Sequence, residues 1–161
     1  MVLDCIEAGA HVYCEKPMTW NLKDADRIVA AADAAHRKVA VAHQAVYLPR
    51  VQNLRSQLDT GCIGALQQLH AVGKQDRRSG GEDMIVLGTH LFNLMRFLAG
   101  DVQWISSHVT VEGRAIAQED ITEGGEPIGP IAGDSVESFF SFGRGVSGSF
   151  TSRCGQSSDG H

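Results

Sequence analysis

Long apolar runs are missing from these 161 residues. Nothing approaches the ~18 consecutive apolar residues that a membrane-spanning helix requires. The opening Met-Val-Leu-Asp-Cys-Ile-Glu has neither the basic start nor the apolar stretch of a secretory signal. Positive charge is in deficit as well. Fourteen Lys and Arg stand against nineteen Asp and Glu, giving a net charge of −5 and a pI of about 5.7. A nucleic-acid surface needs a basic field, so that class of partner is excluded. There are four cysteines, with no Cys-x-x-Cys pair and no Cys/His cluster at zinc-finger spacing. A structural metal is therefore not expected, and free thiols point to a reducing compartment, the cytoplasm. Repeats and low-complexity tracts are absent. Aromatic residues make up only 6%, yet 43% hydrophobic and 20% charged is ordinary composition with room for a real core.

What the chain does hold is a strand that ends in reactive groups. Residues 11 to 17 read His-Val-Tyr-Cys-Glu-Lys-Pro. Val12 to Cys14 reads as a short buried strand, followed at once by a carboxylate, an amine and a ring. The carboxyl ends of strands are where α/β sheets bind ligands, so Lys16 is placed to reach a substrate. Pro17 fixes its own φ and biases Lys16 toward extended backbone, which aims the amine. Taken alone, Glu-Lys-Pro reads as a turn with a surface salt bridge; its context carries the functional reading.

In chain order, Val2, Leu3 and Ile6 predict an amphipathic helix closed by Gly9. No strand and no Gly-rich phosphate turn precede it, unlike the usual start of a parallel nucleotide-binding sheet. The expectation is that the chain begins partway through such a domain, as an internal piece of a longer enzyme. Asn21 is placed to cap a second helix with Asp24 in its first turn. Leu22, Ala25, Ile28, Val29 and Ala32 form its apolar stripe, running to about His36. Val39–Ala42 is the next strand, completing a βαβ unit.

The texture changes at His43. Pro49 opens a helix with Val51, Leu54 and Leu58 on its apolar face, ended by Gly61. A strand is expected over about Leu66–Gly73, then a polar, basic loop from Lys74 to Gly81. Glu82 and Asp83 suit the positive end of a helix dipole. That helix runs to about Ala99 with Leu87, Leu91, Leu94, Met95 and Leu98 facing a core. Val102–Val111 is a strand, Glu112–Gly133 a long loop or lid, and Ser135–Phe142 and Val146–Arg153 a hairpin about Gly143-Arg144-Gly145. Alternation through Val136, Ser138, Phe140 and Phe142 predicts one packed and one wet face. The polar tail from Gly155 is expected to fray. Trp20 and Trp104 read as packing residues and Cys14 as core.

Two blocks together make the sequence resemble the Gfo/Idh/MocA family of NAD(P)-dependent oxidoreductases. One is Glu-Ala-Gly-Ala-His-Val-Tyr-Cys-Glu-Lys-Pro-Met, residues 7 to 18. The other is Gly80-Gly81 followed by Leu-Gly-Thr-His-Leu-Phe-Asn-Leu-Met-Arg, residues 87 to 96. The Cys62-Ile63-Gly64 turn lies between them. The resemblance implies a fold that is α/β and then α+β: the C-terminal part of a Rossmann-like parallel sheet over residues 1–43, then a substrate and oligomerisation domain over 44–161 with an open, mainly antiparallel sheet. It implies NAD or NADP as cofactor, a sugar or polyol as substrate, and a homo-oligomer formed through the C-terminal sheet.

The resemblance also assigns roles. Lys16 is the catalytic lysine, an ammonium that stabilises developing alkoxide charge. Glu15 holds it, and Glu15, Lys16, Pro17 and Gln44 are expected on the cofactor side; His43 and Gln44 follow a strand end, so one of the two is expected to approach the nicotinamide or the substrate. His90 is the second catalytic residue, an imidazole suited to proton exchange near neutral pH. Lys74, Arg77 and Asn93 are expected to contact substrate. The family commonly shows Asp-x-Gly-x-His-x-x-Asp on that helix, where this chain has Val86 and Asn93 in the acidic positions. Valine cannot pair with the imidazole one turn on, which shifts weight to Lys16. Asp83 lies about 10 Å of helix rise before His90, too far for direct contact. With no dinucleotide fingerprint at its front, the chain by itself is expected not to bind NAD(H) appreciably. The alternative is a non-catalytic ligand-binding or oligomerising module on the same fold.

Overall fold

The structure, a computed structural model, describes residues 1–153. The chain divides into two compact units, Met1–His43 and the part from Gln44 onward.

The first unit holds α1 (Val2–Glu7), β1 (Val12–Cys14), α2 (Leu22–Ala34) and β2 (Val39–Val41). The two strands are parallel, with Val12 opposite Val39 and Cys14 opposite Val41. Parallel neighbours need a long crossover, and α2 supplies it. Asn21 starts that helix from extended backbone. Its Oδ1 accepts the Asp24 N–H at 2.8 Å, and its amide donates to the Asp24 carboxylate at 2.9 Å. The core is Ile6, Ile28 and Ala32, flanked by Val2, Leu3, Val12, Met18 and Val39. The stripe expected on α2 is narrower than its sequence suggests. Leu22 is 83% exposed and Val29 53%. These two residues share an azimuth about 100° from Ile28, beyond the face that meets α1.

The second unit opens with a 3₁₀ turn (Gln44–Tyr47) and α3 (Pro49–Asp59), with Pro49 in the first turn where its missing N–H costs nothing. Then come β3 (Gln68–Val72), the single turn α4 (Gly81–Asp83), a π turn (Met84–Gly88) and α5 (Thr89–Ala99). The strands that follow are β4 (Val102–Val111), β5 (Arg114–Ala115), β6 (Thr122–Glu123), β7 (Pro130–Ile131), β8 (Ser135–Phe142) and β9 (Ser147–Arg153). The sheet is open and mixed, in the order β3-β9-β8-β4-β5. Only β3 and β9 are parallel. β6 and β7 form a separate antiparallel pair.

One sheet face is packed. Val136, Phe140, Phe142 and Phe150 meet Met95 and Ala99 of α5. The Phe92 ring sits 5.5 Å from Phe140 and 5.0 Å from Phe150, edge-on to the latter. The opposite face carries His70, Ser149, Glu137, Phe139 and Trp104, cross-strand neighbours by register or ring contact.

Several expectations change. The helix predicted over 82–99 is not uniform: the wider π turn takes up an extra residue and slips the phase between Asp83 and His90. Phe92 therefore joins the core face, which the α-period reading omitted. No α3 residue is fully buried, so the Val51/Leu54/Leu58 face packs loosely. Trp20 and Trp104 are 59% and 53% exposed rather than packed away. Cys14 is half-buried. The 112–133 segment is structured by β5, a 3₁₀ turn (Gln118–Asp120) and the β6–β7 pair. The expected frayed tail lies outside the described residues.

Candidate active site

In the first unit, Cys14 and Val41 are register partners at the carboxyl ends of β1 and β2. Residues 15–17 and 42–43 therefore leave the sheet at one edge, and the Ala42 N–H donates to the Cys14 carbonyl at 2.9 Å. Lys16 is half-buried and the Lys16–Pro17 peptide is cis. The Glu15 carboxylate accepts the backbone N–H of Lys16 at 3.2 Å. Burial pushes the Cys14 thiol up, which keeps it from acting as a thiolate beside this edge.

A nicotinamide dinucleotide asks two things of such an edge: groups that approach the ring, and a glycine turn leading to a helix that cradles the pyrophosphate. Residues 15–17 and 42–43 suit the first. The spacing of the second occurs at Gly143-Arg-Gly-Val-Ser-Gly148. There it turns antiparallel β8 into β9, with no helix behind it, so it is no phosphate cradle. The described residues thus offer strand-end groups for the ring and no phosphate cradle.

In the second unit, Gln44 is exposed at the start of its 3₁₀ turn. His90 and Asn93 lie one turn apart on α5, directly after the π turn. Single π turns recur at functional sites because they re-aim the residues that follow. Asn93 lines a cavity of about 250 Å³ with Val46, Arg96, Phe97 and Asp101. Val86, where the resemblance leads to the expectation of an acid, is buried.

The basic loop between β3 and α4 is built around backbone anchors. Asp76 accepts from the Arg78 N–H at 2.9 Å and from its guanidinium at 2.8 Å. The Arg78 side chain, then its backbone N–H, hold the Asp76 carboxyl down to about 2. Arg77 and Arg78 are both exposed on this loop, while Lys74 is half-buried at its root. The double glycine is explained by close approach. A Cβ on Gly80 would overlap the Gly133 carbonyl and one on Gly81 the Ala132 carbonyl, and Gly80 holds φ +73.

Glu82 and Asp83, read from the sequence only as dipole partners, are both buried. Glu82 accepts the Gly125 N–H at 3.2 Å. Asp83 accepts the Lys74 N–H at 2.6 Å and the Ser152 hydroxyl at 2.8 Å. Sequence reasoning missed Ser152. The available signal was Gly73 at the end of β3, where a Cβ would overlap Asp83 Oδ2. Among the described residues, no group of three His, Cys, Asp or Glu is placed to hold a metal, and no helix is long and apolar enough to cross a membrane. Cys5, Cys14 and Cys62 are free thiols.

Comparison with known proteins places the sequence and the fold among oxidoreductases. Residues 1–43 match the family described as "Oxidoreductase family, NAD-binding Rossmann fold" (GFO_IDH_MocA). The chain is 34% identical over 113 residues to an inositol 2-dehydrogenase of Gluconacetobacter diazotrophicus, covering 67% of this chain and 33% of that protein. It is 30% identical over 125 residues to a D-apiose dehydrogenase of Paraburkholderia graminis, covering 71% and 33%. In fold it resembles the WlbA dehydrogenase of Bordetella pertussis, solved with NADH and UDP-GlcNAcA, at a TM-score of 0.70 and 19% identity over 94% of this chain and 46% of that one. The chain spans about a third of the length of the curated relatives it matches. Glu15-Lys16-Pro17 at a parallel strand end and the double glycine before the His90 helix thus fall within matched sequence, and residues 1–43 carry the match to the Gfo/Idh/MocA family of oxidoreductases.

Proposed function

We propose that the chain carries the substrate-side catalytic residues of a nicotinamide-dependent oxidoreductase acting on a hydroxyl-bearing carbon of a polyol or sugar. In this reading residues 1–43 serve the cofactor and 44–161 the substrate and subunit contacts. Bound NAD or NADP would supply the hydride acceptor. The Lys16 ammonium stabilises the alkoxide that forms as the hydroxyl proton leaves, and His90 takes that proton. Glu15 steadies Lys16, Pro17 and Gln44 line the cofactor side, and Lys74, Arg77 and Asn93 bind the other hydroxyls. The free thiols support a reducing compartment, the cytoplasm. The bare sheet face supports self-association.

One observation carries the reading: Lys16 leaves the carboxyl end of β1 in a chain 34% identical to an inositol 2-dehydrogenase. The test is nicotinamide reduction with cyclic polyols and aldoses, in the protein bearing these residues. Lys16→Ala should lower kcat by about 10²–10³-fold, the usual cost of losing a group that stabilises an oxyanion. Unchanged turnover in Lys16→Ala overturns the assignment. A second reading, ligand binding without catalysis, is favoured by buried Val86 where the resemblance leads to the expectation of an acid. Saturable polyol binding in calorimetry, without turnover under either cofactor, would select it.

A further inference from the structure

Three chain segments meet at one fully buried carboxylate. Asp83 is 0% exposed and Ser152 1%. Asp83 Oδ2 accepts from the Lys74 N–H at 2.6 Å and the Ser152 hydroxyl at 2.8 Å. Ser152 Oγ in turn accepts the Gly80 N–H at 3.0 Å. Ser79, also buried, donates its hydroxyl to the Lys74 carbonyl at 2.8 Å. Lys74 and Gly80 are the two ends of the basic loop, so both ends are fastened to one carboxylate–hydroxyl pair. Asp83 also closes α4, from which the helical run continues through the π turn into α5 and His90. The same pair therefore ties loop, strand β9 and catalytic helix together.

The chemistry of the cluster is one-sided. Asp83 Oδ1 is buried without a hydrogen-bond partner among the described residues. A buried carboxylate with one satisfied oxygen is costly to keep, and is retained where the bonds it does make fix a geometry. Gly73 has been left without a side chain, since a Cβ there would overlap Oδ2.

We infer that Asp83 and Ser152 are positioning residues that hold the Lys74–Gly80 loop, and with it the substrate contacts Lys74 and Arg77, in fixed register with the start of the His90 helix. The inference rests on the proposed function for the word substrate, but the clamp itself is measurable without turnover. In the wild-type protein, hydrogen exchange should show the Lys74 and Gly80 amides protected like the β9 ladder and the Gln75 and Arg77 amides open. Equal exchange at all four overturns the clamp. Trypsin cuts after Lys74, Arg77 and Arg78. Native cleavage there should accelerate by about ten- to a hundredfold in Ser152→Ala, the range expected for losing one hydrogen bond to a charged group. Ser138→Ala, which removes another buried hydroxyl from the same sheet face, should leave the cleavage rate alone. Equal acceleration in both variants means global loosening and overturns the inference. With a polyol that the wild type turns over, Ser152→Ala should raise KM by a similar factor while kcat changes little. If kcat falls in step and KM holds, positioning of substrate contacts is refuted. If no polyol is turned over, the proposed function fails while exchange and proteolysis still decide the clamp.

Discussion

At the scale of single residues, the loop that carries Lys74 and Arg77 is also held by an exposed ion pair. Asp76 titrates at about 2 because the Arg78 guanidinium, and then the Arg78 N–H, bond its ionised form. The carboxyl is depressed in the folded state, so the contribution of this pair is complete above the unfolded value of about 3.9 and fades as pH falls toward 2. Arg78→Gln should bring the Asp76 titration up toward the ordinary carboxylate range in a carbon-detected NMR titration. A midpoint that stays near 2 would mean that the backbone N–H alone suffices. The pair Arg114–Asp120 behaves alike, with Asp120 also near 2. The Asp76–Arg78 pair is solvent-exposed, so it orders its loop more than it stabilises the molecule, whereas Asp120 is largely covered beside a more exposed Arg114. Lys16 and His90 stand out in the sequence because each is embedded in a motif. Asp83 and Ser152 do not: they lie 69 residues apart and meet only when β9 pairs with β3.

At the scale of elements, local signals were legible where one residue decides the outcome. Asn21 is such a case, with its side chain on the Asp24 N–H at 2.8 Å. Asn21→Ala should cost the first unit about 1 kcal/mol in denaturant unfolding, the usual worth of a helix N-cap. A loss near zero would show that Thr19 and Asp24 cap α2 without it. The strand ends at Cys14, Val111 and Phe142, and the hairpin about Gly143, were equally readable from apolar runs and turn residues. The π turn was not. A sequence reading assumes one period along a helix, and nothing in Met-Ile-Val-Leu-Gly announces an extra residue. The reason appears only in three dimensions. Gly88 lies against the Asp83 carbonyl and the Phe92 ring, where a Cβ would crowd both. The slipped phase brings Phe92 between Phe140 and Phe150. The β3–β9 parallel pairing was likewise unreadable, since its partners are 79 residues apart and joined by no local turn.

At the scale of the molecule, the mixed sheet buries one face and bares the other. Fold class was legible because helix-period and strand-period segments change order along the chain, and the observed sheet follows that order. The bare face is mainly polar, with several Ser and Thr and with Glu137 and Arg153 paired across β8 and β9. Set in that polar ground are Trp104 and Phe139, rings 5.6 Å apart and 53% and 41% exposed, with Val72 57% exposed on β3. Two aromatic rings held in contact with each other while open to water are what an interface anchor looks like, because rigid aromatics supply contact area at small entropic cost. Glu137 and Arg153 on this face are paired with each other. Self-association through this face should therefore depend on the rings. Phe139→Lys and Trp104→Lys should each weaken it by about tenfold or more in sedimentation velocity, as hot-spot truncations do. Leu22→Lys, on the exposed face of α2, should leave the sedimentation profile unchanged. Association that survives both sheet variants, or that Leu22→Lys abolishes, would move the contact off this sheet.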